Sequence, residues 1–311
     1  MTESGYDDRA IDQAILQSHR TKNSVTSACA IDYVIHRQIV TQLIRKSAET
    51  TSAPVESRTL MLLGAGNCLD VDLRLLGQMF TEIHLVDLDE NAVNAAADRH
   101  PQLKDKLRIH APVDIAWPLC DAAMVHEKPD SQDTASTKKL AWLQQLQETD
   151  AVQSLPRCDV VVSLCLFSQL VDSLSQILGQ RHEGKDGITR TSIADPQALE
   201  LAVQALRKGH LSRMKTLCHS AGQILFVTDV VSSSTLPELS TTQQSELPNV
   251  LKQAFAKGNF FTGCHPDRTS SDFAEIVCNG DRTRMQITAP WIWMMGSRHF
   301  ACYALTGNMP E

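Results

Sequence analysis

No stretch of the 311 residues approaches the roughly 20 consecutive apolar side chains that a membrane-spanning helix needs, so a membrane is not an expected partner. The first residues, MTESGYDDRAID, are acidic and polar where a secretory leader is basic and then apolar. A soluble, cytoplasmic chain is the expectation. Positive charge is also scarce: 29 Lys and Arg stand against 36 Asp and Glu, a formal net charge of -7. Such a balance sets up no global field to collect phosphates, and nucleic acid is a disfavoured partner. The nine cysteines, at 29, 68, 120, 158, 165, 218, 264, 278 and 302, include no pair at the short spacing of zinc or redox sites. Cys218-His219 and Cys264-His265 have no second cluster to complete a metal site, so no metal is expected and the thiols read as reduced and mostly buried. There is no internal repeat.

What is present is an ordinary globular composition, 42% hydrophobic and 21% charged. It is arranged as short apolar runs, each followed by a segment of helical period, the pattern of a parallel sheet covered by helices. Thr59 to Leu63 is the first run, and Leu69, Leu73, Leu76 and Phe80 share one face of the helix expected after it. Glu82 to Val86 is the second, closed by Asp87-Leu88-Asp89 and followed by the Ala-rich ENAVNAAADRH, with Asp89 suited to cap that helix. Leu107 to Ile115 is the third, and its Pro112 marks an edge strand or a strand end. Asp159 to Cys165 is apolar on both faces, as a central parallel strand must be, with a helix from about Ser168. Asp195-Pro196 opens a long helix that Gly222 is expected to end, and Ile224 to Thr228 is the fifth strand, with Asp229 at its tip.

The rhythm then changes. Phe273 to Cys278, a turn at Asn279-Gly280-Asp281, and Arg284 to Met294 read as an antiparallel hairpin, and Arg298 to Leu305 supplies another strand. Before the first strand, Val25 to Lys46 has the spacing of one helix packed on the domain. The division expected is residues 1–57 as an N-terminal helical cap and 58–311 as the α/β domain, with insertions near 121–157 and 231–272. Trp291 and Trp293 share a face that suits the core or the N-terminal helix. Arg207, Lys208, Arg213 and Lys215 read as a solvated helix face.

The chemistry starts in LMLLGAGNCLD, residues 60–70. Gly64-Ala65-Gly66 follows a buried strand and precedes a helix, at the sheet edge where open α/β folds bind ligands. Glycine permits the tight turn and a close ligand approach, and the helix behind it offers unpaired N–H groups. Asp87 follows Gly64 by 23 residues, at the tip of the second strand, where a carboxylate can accept both hydroxyls of a ribose lying across the turn. A dinucleotide site would carry a third glycine where this chain has Leu69, which disfavours NAD and FAD.

These residues resemble the class I S-adenosylmethionine-dependent methyltransferases. LMLLGAGNC is similar to their glycine-rich motif, HLVDLD to the acidic one, APVDIA to the segment that often meets adenine, and DVVVSLCLFSQL to the fourth strand and its loop. The resemblance covers roughly residues 58–230 and implies a Rossmann-like, doubly wound, mostly parallel seven-stranded sheet with an antiparallel C-terminal strand. It implies S-adenosylmethionine as cofactor and in-line transfer of its methyl group to an acceptor, for which a small molecule is expected. Gly64, Ala65 and Gly66 would pass under the cofactor, helped by Asn67 or Asp70. Asp87 would hold the ribose, Leu88 would flank adenine, Asp114 and Ile115 would meet its amino group and edge, and Ser163 and Leu164 would line the methionine side. Two departures from the family pattern stand out, Leu62 where many members have an acid and Cys68 where many have a third glycine. Tyr33, His36, Arg37, Gln169 and Asp229 are the candidates for contact with substrate. A non-catalytic cofactor binder, an NAD-dependent oxidoreductase and an RNA or protein methyltransferase are the alternatives.

Overall fold

A computed structural model describes residues 13–116, 143–148, 152–183, 189–193, 196–261 and 263–310. The expectations for Asp195, for most of the 121–157 insertion and for Cys120 lie outside the described residues.

The central strands form where the sequence is apolar on both faces. β1 (Thr59–Leu63) and β4 (Cys158–Leu164) are almost wholly buried, because helices cover both sides of a parallel sheet. β1 pairs in parallel with β2 (Glu82–Val86) on one side and with β4 on the other. β3 (Leu107–His110) takes the outer edge beside β2 and stops just before Pro112, which has no N–H to give a ladder. A separate antiparallel hairpin, β5 (Gly179–Glu183) and β6 (Thr189–Ile193), was not expected from the sequence. β7 (Cys218–Ser232) then joins β4 in parallel, and β10 (Arg298–Asn308) runs antiparallel to β7. The far edge is split between β8 (Met285–Ile287) and β9 (Trp291–Met295), both paired with β10. The order is therefore β3-β2-β1-β4-β7-β10-β8, with β9 beside β10. This is the doubly wound, mostly parallel sheet expected, its last strand position broken in two.

One face carries α2 (Val34–Thr50), α3 (Leu73–Met79) and α4 (Glu90–Asp98), whose Val40, Ile44, Leu76 and Val93 meet Leu60, Leu62, Ile83 and Val160. The other carries α5 (Phe167–Leu178), α6 (Pro196–Leu217), α7 (Leu247–Ala256) and α8 (Pro266–Ile276), packed on Met61, Leu63, Val161 and Phe226. Each fully buried Val or Ile adds about 1.5–3 kcal/mol, so α2 is welded to the sheet. Among the described residues no helix is long and apolar enough to cross a membrane.

Several expectations are corrected. The single helix over 25–46 is two, α1 (Gln13–Ser27) and α2, separated by turns. The break has no Gly or Pro; Asp32 instead accepts the N–H of Gly296 at 2.9 Å, and buried Tyr33 donates its hydroxyl to the Met295 sulfur at 3.3 Å. α3 starts at Leu73 and not at Leu69, because the Asp72 carboxylate caps it, accepting from the N–H groups of Arg74 and Leu75. The supposed strand at Phe273–Cys278 is the end of α8. Pro266 at its first position and the His265 cap start a helix there, Phe273 and Val277 lie one turn apart in the core, and left-handed Asn279 and Gly280 end it. The true hairpin is β9–β10. Gly222 lies inside β7, which also outruns its expected end, because β10 keeps pairing with it to Ser232 after β4 has stopped opposite Val227. Nor is the charged run on α6 a solvated face: Arg207 and Arg213 are buried. Arg207 meets Asp272 of α8 at 2.6 Å, and Lys215 donates to the Ile276 carbonyl at 2.7 Å. Arg207, Lys208 and Lys215 thus form a seam with α8, whereas Arg213 donates to the Leu146 carbonyl.

Candidate functional site

From β1 the chain proceeds outward through β2 and β3 on one side and reaches β4 and β7 on the other. The strand order reverses between β1 and β4, and a crevice opens there at the carboxyl ends of the strands. The turn after β1 lies in it. Gly64 (φ 74) and Gly66 (φ 45) take left-handed backbone, and a Cβ on Gly64 would come within 2.8 Å of the Leu166 Cβ. Cys68 is left-handed as well, at φ 52. Cys68 is therefore a strained αL residue.

Asp87 ties this turn to β2. Its carboxylate accepts the N–H of Gly66 at 2.8 Å through one oxygen and the N–H of Asp89 at 2.8 Å through the other. Burial pushes its pKa up to about 6, against the pull of those two backbone donors. A carboxylate has about four acceptor positions, so two bonds leave capacity for a ligand's hydroxyls. Asp89 caps α4 by accepting from Ala92 N–H, as expected.

A cavity adjoins the turn, lined by Gly64, Asp87 and Leu88, by Val113, Asp114 and Ile115 after β3, by Leu166 just before α5 and Leu170 and Ser173 on it, and by Ile15 and His19 of α1. The structure therefore brings Gly64, Asp87, Leu88, Asp114 and Ile115 together around one space. Asp114 accepts the Ala116 N–H at 2.8 Å, and the buried guanidinium of Arg213 feels its charge. The lining from α1 and α5 was missed in the sequence. QAILQSHRTK, at residues 13–22, shows too little apolar periodicity to announce a helix, let alone a roof over the crevice.

The other candidates are placed elsewhere. Ala65 is buried behind the turn. Asn67 donates to the Asn23 carbonyl at 2.6 Å and to Thr26 Oγ1 at 3.1 Å, both on α1. Asp70 lies 2.9 Å from His36 Nε2, an engagement that leaves it a poor hold for a cofactor's amino-acid end. Ser163 is fully buried with its hydroxyl 2.9 Å from His210 Nε2, and Leu164 is in the core on the α2 face. Neither lines the cavity.

Among the substrate candidates, His36 is buried between Asp70 and Trp291, whose indole N–H donates to Nδ1 at 3.1 Å, and it stacks on Trp293 at 4.6 Å. An indole nitrogen can only donate, so Nδ1 is the acceptor there, and against the opposing effect of burial Asp70 and Cys165 raise the pKa of the imidazole. Trp291 and Trp293 pack on α2 as their spacing implied. Tyr33 is part of the same cluster, and Arg37 donates to the carbonyls of Leu69 and Ala30 at 2.7 and 3.0 Å. These three brace the N-terminal segment. Gln169 donates to the Cys165 carbonyl at 3.3 Å. Asp229 lies in β7 just past the last residue paired with β4, 5% exposed, and accepts the Ser168 hydroxyl at 2.6 Å. Burial raises its pKa. Among the described residues no three His, Cys, Asp or Glu side chains gather as a metal site.

No family profile and no curated protein matches the chain. Among solved structures it is similar to magnesium protoporphyrin IX methyltransferase from Synechocystis PCC 6803 with bound SAH, at 11% identity and a TM-score of 0.42 over 88% of this chain and 83% of that one. It is similar to the plantazolicin methyltransferase BpumL in complex with SAH at 11% identity and a TM-score of 0.41, over 96% and 95%. Identities and scores at this level leave the functional reading to the site's own residues.

Proposed function

We propose that the chain is an S-adenosylmethionine-dependent methyltransferase acting on a small molecule. The observation that carries this reading is the meeting of the Gly64 turn, the buried Asp87 carboxylate, Leu88, Asp114 and Ile115 around one cavity at the switch point of the sheet. The donor set fits a nucleoside: an acceptor for ribose hydroxyls, apolar walls for a base, and a carboxylate at the base's edge. Leu69 in place of a third glycine argues against the second half of a dinucleotide.

Bound there, S-adenosylmethionine would supply a methyl group on a sulfonium centre, ready for in-line displacement. The protein's part is alignment and the exclusion of water. Asp87 would accept from the ribose, Leu88 and Ile115 would flank the base, and Asp114 would meet its amino group. Asp229, which accepts the Ser168 hydroxyl, would be the chain's group to take a proton from an acceptor that arrives protonated. An acceptor of low molecular mass suits the acidic chain better than a nucleic acid.

The experiment is acceptor-dependent release of S-adenosylhomocysteine from S-adenosylmethionine, followed by mass spectrometry across a panel of hydroxyl-, amine- and thiol-bearing small molecules. Turnover with one acceptor and a matching mass gain of one methyl group is expected. Tight cofactor binding with no transfer to any acceptor would make the chain a non-catalytic binder.

A further inference from the structure

A second cavity lies away from the crevice, at the far edge of the sheet. It measures about 860 Å³ up to its open mouth, of which about 370 Å³ can hold the centre of a water-sized sphere. Both figures fall in the range of small-molecule pockets, roughly 300–1,000 Å³. Val230 of β7 and Tyr303 of β10 form its floor, Leu251 and Phe255 of α7 one wall, and His265 with the first turn of α8 another. The two cavities share no lining residue, and β7 and β10 stand on the side of β4 away from β1.

Local sequence keeps this space open. β8 does not run on into β9, because Pro290 between them has no N–H to give a ladder. Gln244 pins the interruption: its amide donates to the Pro290 carbonyl at 2.6 Å, and its Oε1 accepts the Ile292 N–H at 3.3 Å. On the floor, Val230 is the extra residue of a bulge between the pairs Asp229–Cys302 and Val231–Ala301, and bulges re-aim side chains. Tyr303 is 3% exposed and donates its hydroxyl to the Cys264 carbonyl at 3.4 Å, so its ring is fixed.

Aromatic rings gather at one end. Phe255 lies 4.9 Å from His265 and 5.6 Å from Phe260, and His265 lies 5.0 Å from Phe260, all tilted or edge-on. A planar ligand extends such a cluster through the offset and edge-to-face contacts that rings prefer. His265 Nδ1 accepts the Asp267 N–H at 3.2 Å, which leaves Nε2 for a ligand. Lys252 lines the cavity and Lys257 the hollow that adjoins it through Phe255 and His265. Both lysines are exposed, and neither has an ion-pair partner among the described residues. Against them stands Asp267, while Arg268 is engaged by Glu200. That balance favours an anion over the cation that rings alone would attract.

We propose that this cavity is a second ligand site, which takes a planar aromatic carboxylate. The ring beds against Phe255 and His265 over Tyr303, and the carboxylate faces the opening, where Lys252 and Lys257 are the unpaired cations. The site does not depend on the nucleoside reading of the crevice.

The test uses cinnamate as probe on the full chain, with affinity by calorimetric titration and bound-ring signals by saturation-transfer NMR. Cinnamylamine and octanoate serve as the cationic and the aliphatic comparison. Two variants are checked for folding by circular dichroism: Ile287→Trp, at a position that lines the cavity and is 53% exposed, fills the space, and Lys252→Glu/Lys257→Glu reverses two surface charges. Expected are one cinnamate bound per chain, an affinity lower by about tenfold or more in each variant, and weaker binding of both comparison compounds. No binding of cinnamate, or an affinity unaltered in both variants, overturns the site. Cinnamylamine or octanoate bound as tightly as cinnamate overturns the class of ligand.

Discussion

At the residue scale, Asp87 both shapes the site and serves it. Its two oxygens hold the Gly66 and Asp89 amides, so the turn is built before a ligand arrives. Its folded pKa of about 6 lies above the ordinary 3.8, so the folded chain holds the proton more tightly than the unfolded one. Stability therefore falls as pH rises from about 4 to about 6, whereas hydroxyl recognition by the ionised carboxylate grows through the same upper range. The dissociation constant of S-adenosylhomocysteine should rise as pH is lowered below 6, by up to about tenfold per unit. Asp87→Asn should remove that slope, which calorimetric titrations between pH 5 and 8 would read. A slope unchanged in Asp87→Asn would assign the titration to another group. The placement of Asp87 beside the glycine turn was legible in the sequence, because a strand-turn-helix followed by an acid at the next strand tip sets the two side by side. The left-handed Cys68 was not, because nothing local distinguishes an αL cysteine from any other.

At the element scale, legibility followed how far an element depends on its own residues. Strands buried on both faces, and the helix capped by Asp89, announced themselves. Elements decided by distant partners did not: the break between α1 and α2 depends on Gly296, and the burial of Arg207 on α6 depends on Asp272. α8 is the sharpest case, since FAEIVC is as apolar as a strand and only Pro266 and the spacing of Phe273 and Val277 reveal a helix. Its docking rests partly on the Arg207–Asp272 pair, whose side chains are 4% and 10% exposed. Asp272→Ala strands a buried guanidinium and should cost about 3–5 kcal/mol, whereas replacing both partners by apolar residues of similar volume should cost far less. Urea unfolding midpoints of the two variants decide this. Equal losses would mean that the pair's packing, and not its charge, holds α8.

At the scale of the whole molecule, the sheet order and the position of the crevice followed from the alternation of runs and helical segments, and so did the half of the site that lies on strand tips. The other half belongs to α1 and α5, and it assembles only when segments far apart in sequence are folded together. The pocket's occupant is the central claim. Calorimetric titration of S-adenosylhomocysteine and of NADH into the intact chain, repeated with Asp87→Ala, tests it most directly. Binding of S-adenosylhomocysteine well above that of NADH, weakened by roughly 1–3 kcal/mol in Asp87→Ala through lost charged hydrogen bonds, is the result predicted. Preference for NADH, or an affinity untouched by Asp87→Ala in a folded chain, would contradict it.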